Sequence, residues 1–282
     1  MNHTLSQPWT LQPAGAADAD RPLPAPVGSG LTQGTQGAPG THGATGPHAA
    51  SPATHTAAGH PPAGLSSLVP ALVTVHQPDS PAAEGFRTLR SQLSLRTAAT
   101  GRSGGALAVL SPSRGDGRSW CAANLAVSMA QRGGPVLLVD ANLRQPSLHA
   151  WLGLPGDRGL ATVLGGRTAA PRPLPVLPVL PVAQVPGLFL LPAGAAEGHP
   201  LEWLESPAFA ELLQQLAGRY AHVVVDTPAA ELGADAAVIA AHCQAALLVV
   251  RQHHSRVQAV QDLCAAFAPR GTPVAGVFLN GH

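Results

Sequence analysis

The residues with the clearest capacity for chemistry lie in one short stretch, residues 111–119, with the sequence SPSRGDGRS. Gly115 and Gly117 leave room for backbone N–H groups to point inward at a phosphate. Arg118 adds positive charge, and Ser119 adds a hydroxyl of the kind that binds Mg²⁺. Arginine stands where such a loop normally carries lysine, and a proline replaces the first glycine. The stretch alone is a weak match, which predicts phosphate binding more firmly than phosphate transfer.

Two carboxylates follow apolar runs further along the chain. Asp140 ends the run at 135–140, and Asp226 lies in AHVVVDTP at 221–228. A carboxylate in this position can hold Mg²⁺ directly or through water. Each could instead cap a following helix, since aspartate is a favoured N-cap residue. The presence of both beside a glycine loop favours the metal interpretation.

The elements predicted to position these residues alternate between strand and helix. The apolar, strand-like runs fall at 106–110, 135–140, 187–194, 221–228, 244–251 and 273–280. Short apolar runs separated by helices are typical of parallel strands that are covered on both faces. We therefore predict one doubly wound α/β domain with a mostly parallel sheet. In such sheets ligands gather beyond the carboxyl ends of the strands, where the glycine loop, both carboxylates and Arg251 should converge.

A helix is predicted to begin at Ser80-Pro81, because proline suits the first helical position. Glu84, Arg87 and Arg90 recur every three residues and therefore share one side of it. That row is either a solvated charged surface or a charge seam that meets a neighbouring subunit. The apolar face is predicted to consist of Phe86, Leu89, Leu93 and Leu95.

Three segments are predicted to lie outside this core. Residues 1–66 are rich in Pro, Ala, Gly, Thr, Ser and His, with too few large apolar side chains to offset the entropy of ordering, so a disordered tail is predicted. Its histidines, at positions 3, 42, 48, 55 and 60, lack metal-ligand spacing. Residues 67–76 are expected to form a short extended arm. The repeated prolines of 171–186 predict an exposed polyproline-type insertion within the domain at 67–282.

Composition narrows the class of protein. Only 11% of the residues are charged, yet no window sustains the apolar length of a membrane span, and the N-terminus lacks a signal-peptide pattern. A cytoplasmic chain is therefore expected. A net charge of +1 without a basic run argues against nucleic-acid binding. Cys121, Cys243 and Cys264 are too widely spaced for a ligand pair and are expected to be reduced, buried thiols.

Taken in order, these residues resemble the bacterial tyrosine kinases of capsule and exopolysaccharide synthesis. That family, here of the chain-length determinant type, is a branch of the deviant Walker P-loop ATPases related to MinD and ParA. The likeness covers about residues 70–282. The family motifs match as follows: E-x-x-R-x-x-R at Glu84, Arg87 and Arg90; Walker A at 111–119; Walker A′, D-x-D-x-R, at Asp140, Asn142 and Arg144; and Walker B, D-x-P, at Asp226 and Pro228.

The resemblance implies roles for these residues. It implies catalytic roles for Arg118, Asp140 and Asp226, and Mg²⁺ ligation by Ser119, Asp140 and Asp226. It implies ATP contacts from Ser113, Arg114, Gly115, Asp116, Gly117, Arg118, Ser119, Trp120, Arg251 and Asn280. It also implies a homo-oligomer formed through the Glu84, Arg87 and Arg90 helix. Finally, it implies a membrane polysaccharide chain-length regulator as partner, which would place the chain at the inner membrane.

Three departures from the family pattern keep other functions open. Arg118 replaces the Walker A lysine, and Asn142 replaces the second aspartate of Walker A′ with an amide that cannot act as a base. Relatives that autophosphorylate carry a C-terminal tyrosine cluster, whereas Tyr220 is the one tyrosine of this sequence. The leading interpretation is an ATP-binding, tyrosine-kinase-like regulator of exopolysaccharide chain length and export. The alternatives are a catalytically weak, nucleotide-dependent scaffold of the same fold and, last, a MinD/ParA-type positioning ATPase.

Overall fold

A computed structural model of the chain describes residues 71–99, 105–165, 177–196 and 198–281. The predicted tail at 1–66 and the first part of the proline-rich insertion, 171–176, lie outside the described residues.

Within the described residues, one sheet of seven strands forms the centre of the domain. The strands are β1 (Ala106–Leu110), β2 (Val136–Asp140), β3 (Leu180–Pro181), β4 (Leu188–Leu191), β5 (His222–Asp226), β6 (Ala245–Arg251) and β7 (Val274–Asn280). Their order across the sheet is β3-β4-β2-β5-β1-β6-β7. Every neighbouring pair is parallel except β3 and β4, which are antiparallel. The prediction of a doubly wound, mostly parallel sheet is confirmed.

Helices cover both faces of this sheet. They are α1 (Val73–His76), α2 (Pro81–Ala99), α3 (Arg118–Ala130), α4 (Leu148–Trp151), α5 (Leu160–Gly165), α6 (Pro200–Glu205), α7 (Pro207–Arg219), α8 (Asp235–His242) and α9 (Val257–Phe267). One core packs α2 and α3 against the sheet, and the other packs α5 through α9 against the opposite face. All residues of β1 and β2 are buried, which explains their unbroken apolar sequences.

Helix α2 is anchored by an aromatic cluster. Phe86 is fully buried, with its ring centroid 5.1 Å from that of Trp120 on α3 and 5.3 Å from that of Phe278 on β7. Leu89 and Leu93 are also buried, as predicted, but Leu95 is 60% exposed. The predicted apolar face is therefore wrong at its last position, because Leu95 lies nine residues after Phe86, about half a turn around the helix from the buried side.

The prediction of an extended arm is wrong for residues 73–76, which form α1. The reason is a tertiary contact: the Asn124 Oδ1 atom on α3 accepts hydrogen bonds from Thr74 N at 3.1 Å and from Thr74 Oγ1 at 2.9 Å. Leu72, just before the helix, is fully buried. Contacts with α3 outweigh the strand preference of β-branched residues here.

The predicted exposed insertion is wrong for residues 177–186. Leu180 and Pro181 pair with β4 at the edge of the sheet, where proline's missing N–H costs no interior hydrogen bond. Val182 and Val185 then enter the core with 2% and 5% exposure. The valines between the prolines decide the conformation of this segment.

Candidate nucleotide-binding site

The loop of residues 111–117 joins the end of β1 to the start of α3, next to the sheet's centre. Gly115 and Gly117 have φ values of 78° and 88°, a region that favours glycine. A Cβ atom on Gly117 would overlap the side-chain amide of Asn280. Gly117 is also the N-cap of α3, whose first N–H groups have no partner four residues earlier. The loop therefore directs free backbone N–H groups and the positive end of a helix dipole to one place.

Asp116 holds this loop in shape. Its buried carboxylate accepts hydrogen bonds from Ser113 N through Oδ2, at 2.8 Å, and from Ser255 Oγ through Oδ1, also at 2.8 Å. The Nδ1 atom of His254 lies 3.0 Å from the same Oδ1 atom. Asp116 thus ties the loop to the connection between β6 and α9. The roles of Ser255 and His254 could not be predicted from the sequence, because nothing in their spacing links them to a loop about 138 residues away.

The strand ends beyond the loop come to it as predicted. Arg251, at the end of β6, donates from Nη1 to Gly115 O at 3.3 Å. Asn280, at the end of β7, donates from Nδ2 to Asp116 O at 3.1 Å. Arg114 turns outward, and its N–H donates to Glu231 Oε1 at 2.7 Å, a contact that the sequence did not indicate.

Trp120 points its side chain away from the loop. Its ring packs with Phe86 and Phe278, and its Nε1 atom donates to Ala71 O at 2.6 Å. Only its backbone N–H, in the first turn of α3, is directed toward the phosphate-binding loop.

The two strand-end carboxylates are neighbours in the sheet. Asp140 on β2 lies directly opposite Asp226 on β5, and both are fully buried. Asp140 accepts backbone hydrogen bonds, each 3.2 Å long, from Asn142, Ser147 and Leu148. The two carboxylates therefore lie together at the carboxyl edge of the sheet, as predicted.

Arg118 and Ser119, at the start of α3, both contact Asp226. Ser119 Oγ donates to Asp226 Oδ2 at 2.6 Å, and Arg118 Nε donates to Asp226 Oδ1 at 3.3 Å. Arg118 Nη1 also donates to Ser111 Oγ at 2.8 Å. The glycine loop and the carboxylate pair are therefore one site.

Comparison with known proteins agrees with this geometry, although no protein-family model matches the chain. The putative tyrosine-protein kinase EpsB of Ralstonia solanacearum is 33% identical over 204 residues, covering 72% of this chain and 26% of that protein. The putative tyrosine-protein kinase CapB of Staphylococcus aureus is 28% identical over 214 residues, covering 76% and 90%. The kinase domain of the Escherichia coli tyrosine kinase ETK superposes with a TM-score of 0.68 at 26% identity, covering 76% of this chain and 81% of that domain.

In both sequence and fold, this chain is therefore similar to bacterial tyrosine kinases. It spans about a quarter of the length of EpsB and most of the length of CapB. In the part of the chain that the structure describes, none of the helices combines the length and apolar character needed to cross a membrane.

Two of the three Walker A′ residues, Asn142 and Arg144, form structural contacts in this chain. Asn142 donates from Nδ2 to Gln145 O at 2.9 Å and accepts from Gln145 N at 3.2 Å, which closes the turn after β2. Arg144 forms a two-pronged ion pair with Asp235, the first residue of α8, with Nη2 3.0 Å from Oδ2. Asp235 is buried and was not singled out from the sequence.

The E-x-x-R-x-x-R row of the family is divided between an exposed ion pair and a partly buried contact with α3. Glu84 and Arg87 form an ion pair on the exposed side of α2. Arg90 instead donates from Nη1 to Ser128 O on α3 at 2.6 Å, and burial lowers the pKa of its guanidinium. Arg90 therefore fixes α2 to its own chain, which leaves Glu84 and Arg87 as the accessible part of the motif.

Burial perturbs both carboxylates of the site. It raises the pKa of Asp140 to about 7, with a further contribution from the charge of Asp226, against the effect of the three backbone N–H donors. Burial also raises the pKa of Asp226, an effect that Arg118 and Ser119 oppose. A carboxyl group with a pKa near neutrality is suited to accept a proton from a hydroxyl nucleophile.

The pKa of Asp140 predicts a pH-dependent stability. Between 3.8, its ordinary pKa, and about 7, the folded chain keeps a proton that the unfolded chain has lost, so the free energy of unfolding falls as pH rises. Asp140→Asn removes this pH-dependent contribution to the free energy of unfolding. Any hydrogen bond lost with the carboxylate changes the stability of the variant by the same amount at every pH. From about pH 5 to about pH 8, the stability difference should shift in favour of the variant by about 2 kcal/mol.

Urea unfolding at a series of pH values measures this shift. Asp262→Asn, a matched change at an exposed carboxylate, is expected to move the curve by less than about 0.5 kcal/mol. A stability difference between Asp140→Asn and wild type that is constant across the range would contradict the assignment.

The residues of the site fit a bound phosphate group and offer Mg²⁺ suitable oxygen atoms. Mg²⁺ is usually held by one or two carboxylates together with substrate phosphates and water, and Ser119 Oγ and Asp226 Oδ2 lie side by side. In the described part of the chain, no three His, Cys, Asp or Glu side chains converge as a metal site by themselves. Mg²⁺ would therefore depend on the nucleotide for its remaining ligands.

Proposed function

We propose that this chain is an ATP-binding, tyrosine-kinase-like protein that regulates exopolysaccharide chain length and export together with a membrane chain-length regulator. The observation that carries the proposal is the contact between the start of α3 and the carboxylate pair, through Ser119 and Asp226 at 2.6 Å. Tyrosine-protein kinases at 33% and 30% identity support the reaction class. These two relatives are much longer than this chain, and the regulator is proposed as a separate polypeptide.

The residues of the site have the following proposed roles. The loop N–H groups of Gly115, Gly117 and the first turn of α3 hold the phosphates, with Arg118 as the nearby cation. Arg251 and Asn280 lie at the rim, where they contact the loop and would meet the rest of the nucleotide. Asp140 accepts the proton of the attacking hydroxyl, as its pKa near neutrality allows. Ser119, Asp140 and Asp226 would hold Mg²⁺, which when bound would neutralise phosphate charge.

The acceptor hydroxyl comes from another polypeptide. Tyr220 follows the last residue of α7, with its ring centroid 5.7 Å from that of Phe189. It precedes β5, whereas Asp226 ends β5, so the length of the strand, roughly 15 Å, separates them. Tyr220 therefore cannot reach the site of its own chain.

An assay of nucleotide binding and tyrosine phosphorylation tests the proposal. The purified full chain is incubated with Mg²⁺, ATP and a synthetic Glu–Tyr copolymer, and phosphotyrosine is measured by mass spectrometry and antibody. We expect phosphotyrosine that is lost in Asp140→Asn and kept in the exposed Asp262→Asn. Absence of nucleotide binding at millimolar concentration would refute the nucleotide part of the proposal.

A nucleotide-dependent scaffold is the second candidate, and a specific observation favours it. Asn142 uses its amide to close a turn, and Arg118 is bonded to Asp226 rather than left free for phosphate. Nucleotide binding without phosphate release or phosphotyrosine, in the presence of the partner's cytoplasmic tail, would support the scaffold. Phosphotyrosine that depends on Asp140 would exclude it.

The exposed ion pair on α2 gives a test of oligomerisation. Arg87→Glu is expected to reduce the mass of oligomers to that of the monomer, because it places like charges at Glu84 and position 87 on the proposed seam. Light scattering measures the mass. Arg158→Glu, the same charge change at an exposed loop position, should leave the mass unchanged. If Arg87→Glu also leaves it unchanged, the row is a solvated surface.

A further inference from the structure

The arginine that replaces the Walker A lysine is bound to its own protein at two points. The side chain of Arg118 is only 10% exposed. Its Nε atom donates to Asp226 Oδ1 at 3.3 Å, and its Nη1 atom donates to Ser111 Oγ at 2.8 Å. Because Ser119 donates to the other oxygen, both carboxylate oxygens of Asp226 have donors from α3.

Arg118 balances negative charge at the adjacent carboxylates of Asp140 and Asp226. Asp140 and Asp226 are adjacent and fully buried, so two negative charges would repel strongly. Among the residues that the structure describes, Arg118 is the one that forms an ion pair with either carboxylate. Arg118 thus supplies the positive charge that a bound divalent cation would otherwise supply to Asp226.

Lysine could not hold the same two partners in the same way. A guanidinium group is a planar fork whose Nε and Nη1 atoms point to two acceptors at fixed angles, whereas an ammonium group is a single point of charge. The acceptor at Ser111 is itself oriented, since its hydroxyl donates to Ser113 O at 3.0 Å. The bridge from Ser111 to Asp226 is therefore specific to arginine at position 118.

We infer that Arg118 is a resident counter-cation for Asp226, so that this chain binds the phosphates of a nucleotide without requiring Mg²⁺. In a phosphate-binding loop with an unpaired strand-end aspartate, a divalent cation would offset the repulsion between that carboxylate and the anionic phosphates. Here Arg118 already neutralises it, and the N–H groups of Gly115 and Gly117 stay available for phosphate. The inference rests on the proposed nucleotide binding. It concerns the need for Mg²⁺ in binding and not the need for Mg²⁺ in phosphoryl transfer.

Titration of the full chain with a fluorescent ADP analogue, in EDTA and in Mg²⁺, tests the inference. For the wild-type chain, the dissociation constants in the two buffers should agree within about threefold. For Arg118→Lys, which cannot bridge Ser111 and Asp226, binding should be at least about tenfold weaker in EDTA than in Mg²⁺. Ser111→Ala removes one end of the bridge and should give an intermediate ratio.

Arg251→Lys is the matched control, since it makes the same exchange at a loop contact that does not touch Asp226. It should change both dissociation constants by the same factor. A wild-type affinity that falls tenfold or more in EDTA would overturn the inference, as would an Arg118→Lys ratio equal to that of wild type while thermal melting shows a folded variant. Absence of binding in both buffers would refute the proposed function instead.

Discussion

Gly117→Ala is expected to weaken nucleotide binding by at least about 100-fold. Gly117 has a φ of 88°, which costs an alanine roughly 1–2 kcal/mol. Its new Cβ atom would also overlap the side-chain amide of Asn280, which is 5% exposed and bonded to the loop at Asp116 O. The loop must therefore move, and its N–H groups lose their common direction. Titration with a fluorescent ADP analogue measures the change.

Gly133→Ala controls for backbone strain alone. Gly133 has a φ of 98°, but no atom lies within 4 Å of the position of its Cβ atom. It lies in the exposed turn between α3 and β2, at the opposite edge of the sheet from the loop. This variant should lose about 1 kcal/mol of stability and keep the wild-type affinity. Equal affinities for Gly117→Ala and Gly133→Ala would contradict the assignment of the loop as the phosphate site.

Phe86→Ala is expected to lower the free energy of unfolding by about 4 kcal/mol. Phe86 is fully buried and is the ring that joins α2 to both Trp120 on α3 and Phe278 on β7. Its removal leaves a cavity between three elements that cannot all close on it. Because α2 carries Glu84 and Arg87, the same variant should also weaken any oligomer formed through that helix. Urea unfolding measures the stability, and light scattering measures the mass.

Leu95→Ala, on the same helix, is the control for this change. Leu95 is 60% exposed, so its truncation should cost less than about 0.5 kcal/mol. A loss below about 1 kcal/mol for Phe86→Ala would show that the aromatic cluster does not anchor α2.

The sheet, the glycine loop and the strand-end carboxylates could all be predicted from the sequence. Buried parallel strands need unbroken apolar runs, and a loop that turns through positive φ needs glycine, so these features leave local marks in the chain. The meeting of the loop with Asp140, Asp226 and Arg251 followed from one topological rule, because parallel strands end at the same edge of a sheet.

The parts that could not be predicted depend on contacts between distant residues. Residues 73–76 had a strand-like composition, yet Asn124 holds Thr74 in a helix. The prolines of 177–186 suggested exposure, yet Val182 and Val185 enter the core. Nothing in the sequence indicated that the carboxylate of Asp116 is used by the loop itself and by Ser255. In each case a tertiary contact outweighs the local preference, and neither spacing nor composition records such a contact.

The sequence by itself determined the fold class, the order of the motifs and the resemblance to bacterial tyrosine kinases, since each depends on short local patterns. Only the tertiary structure showed which groups Arg118 and Arg90 contact. Arg118 was known from the sequence as a replaced lysine, but its bonds to Ser111 and Asp226 show that it holds the charge of a buried carboxylate. Arg90 was one member of a charged row, but it is bonded to α3. The physical reason is that the role of a charged side chain depends on the groups that lie next to it in the folded chain. Those neighbours are distant in sequence, so only the tertiary structure shows them.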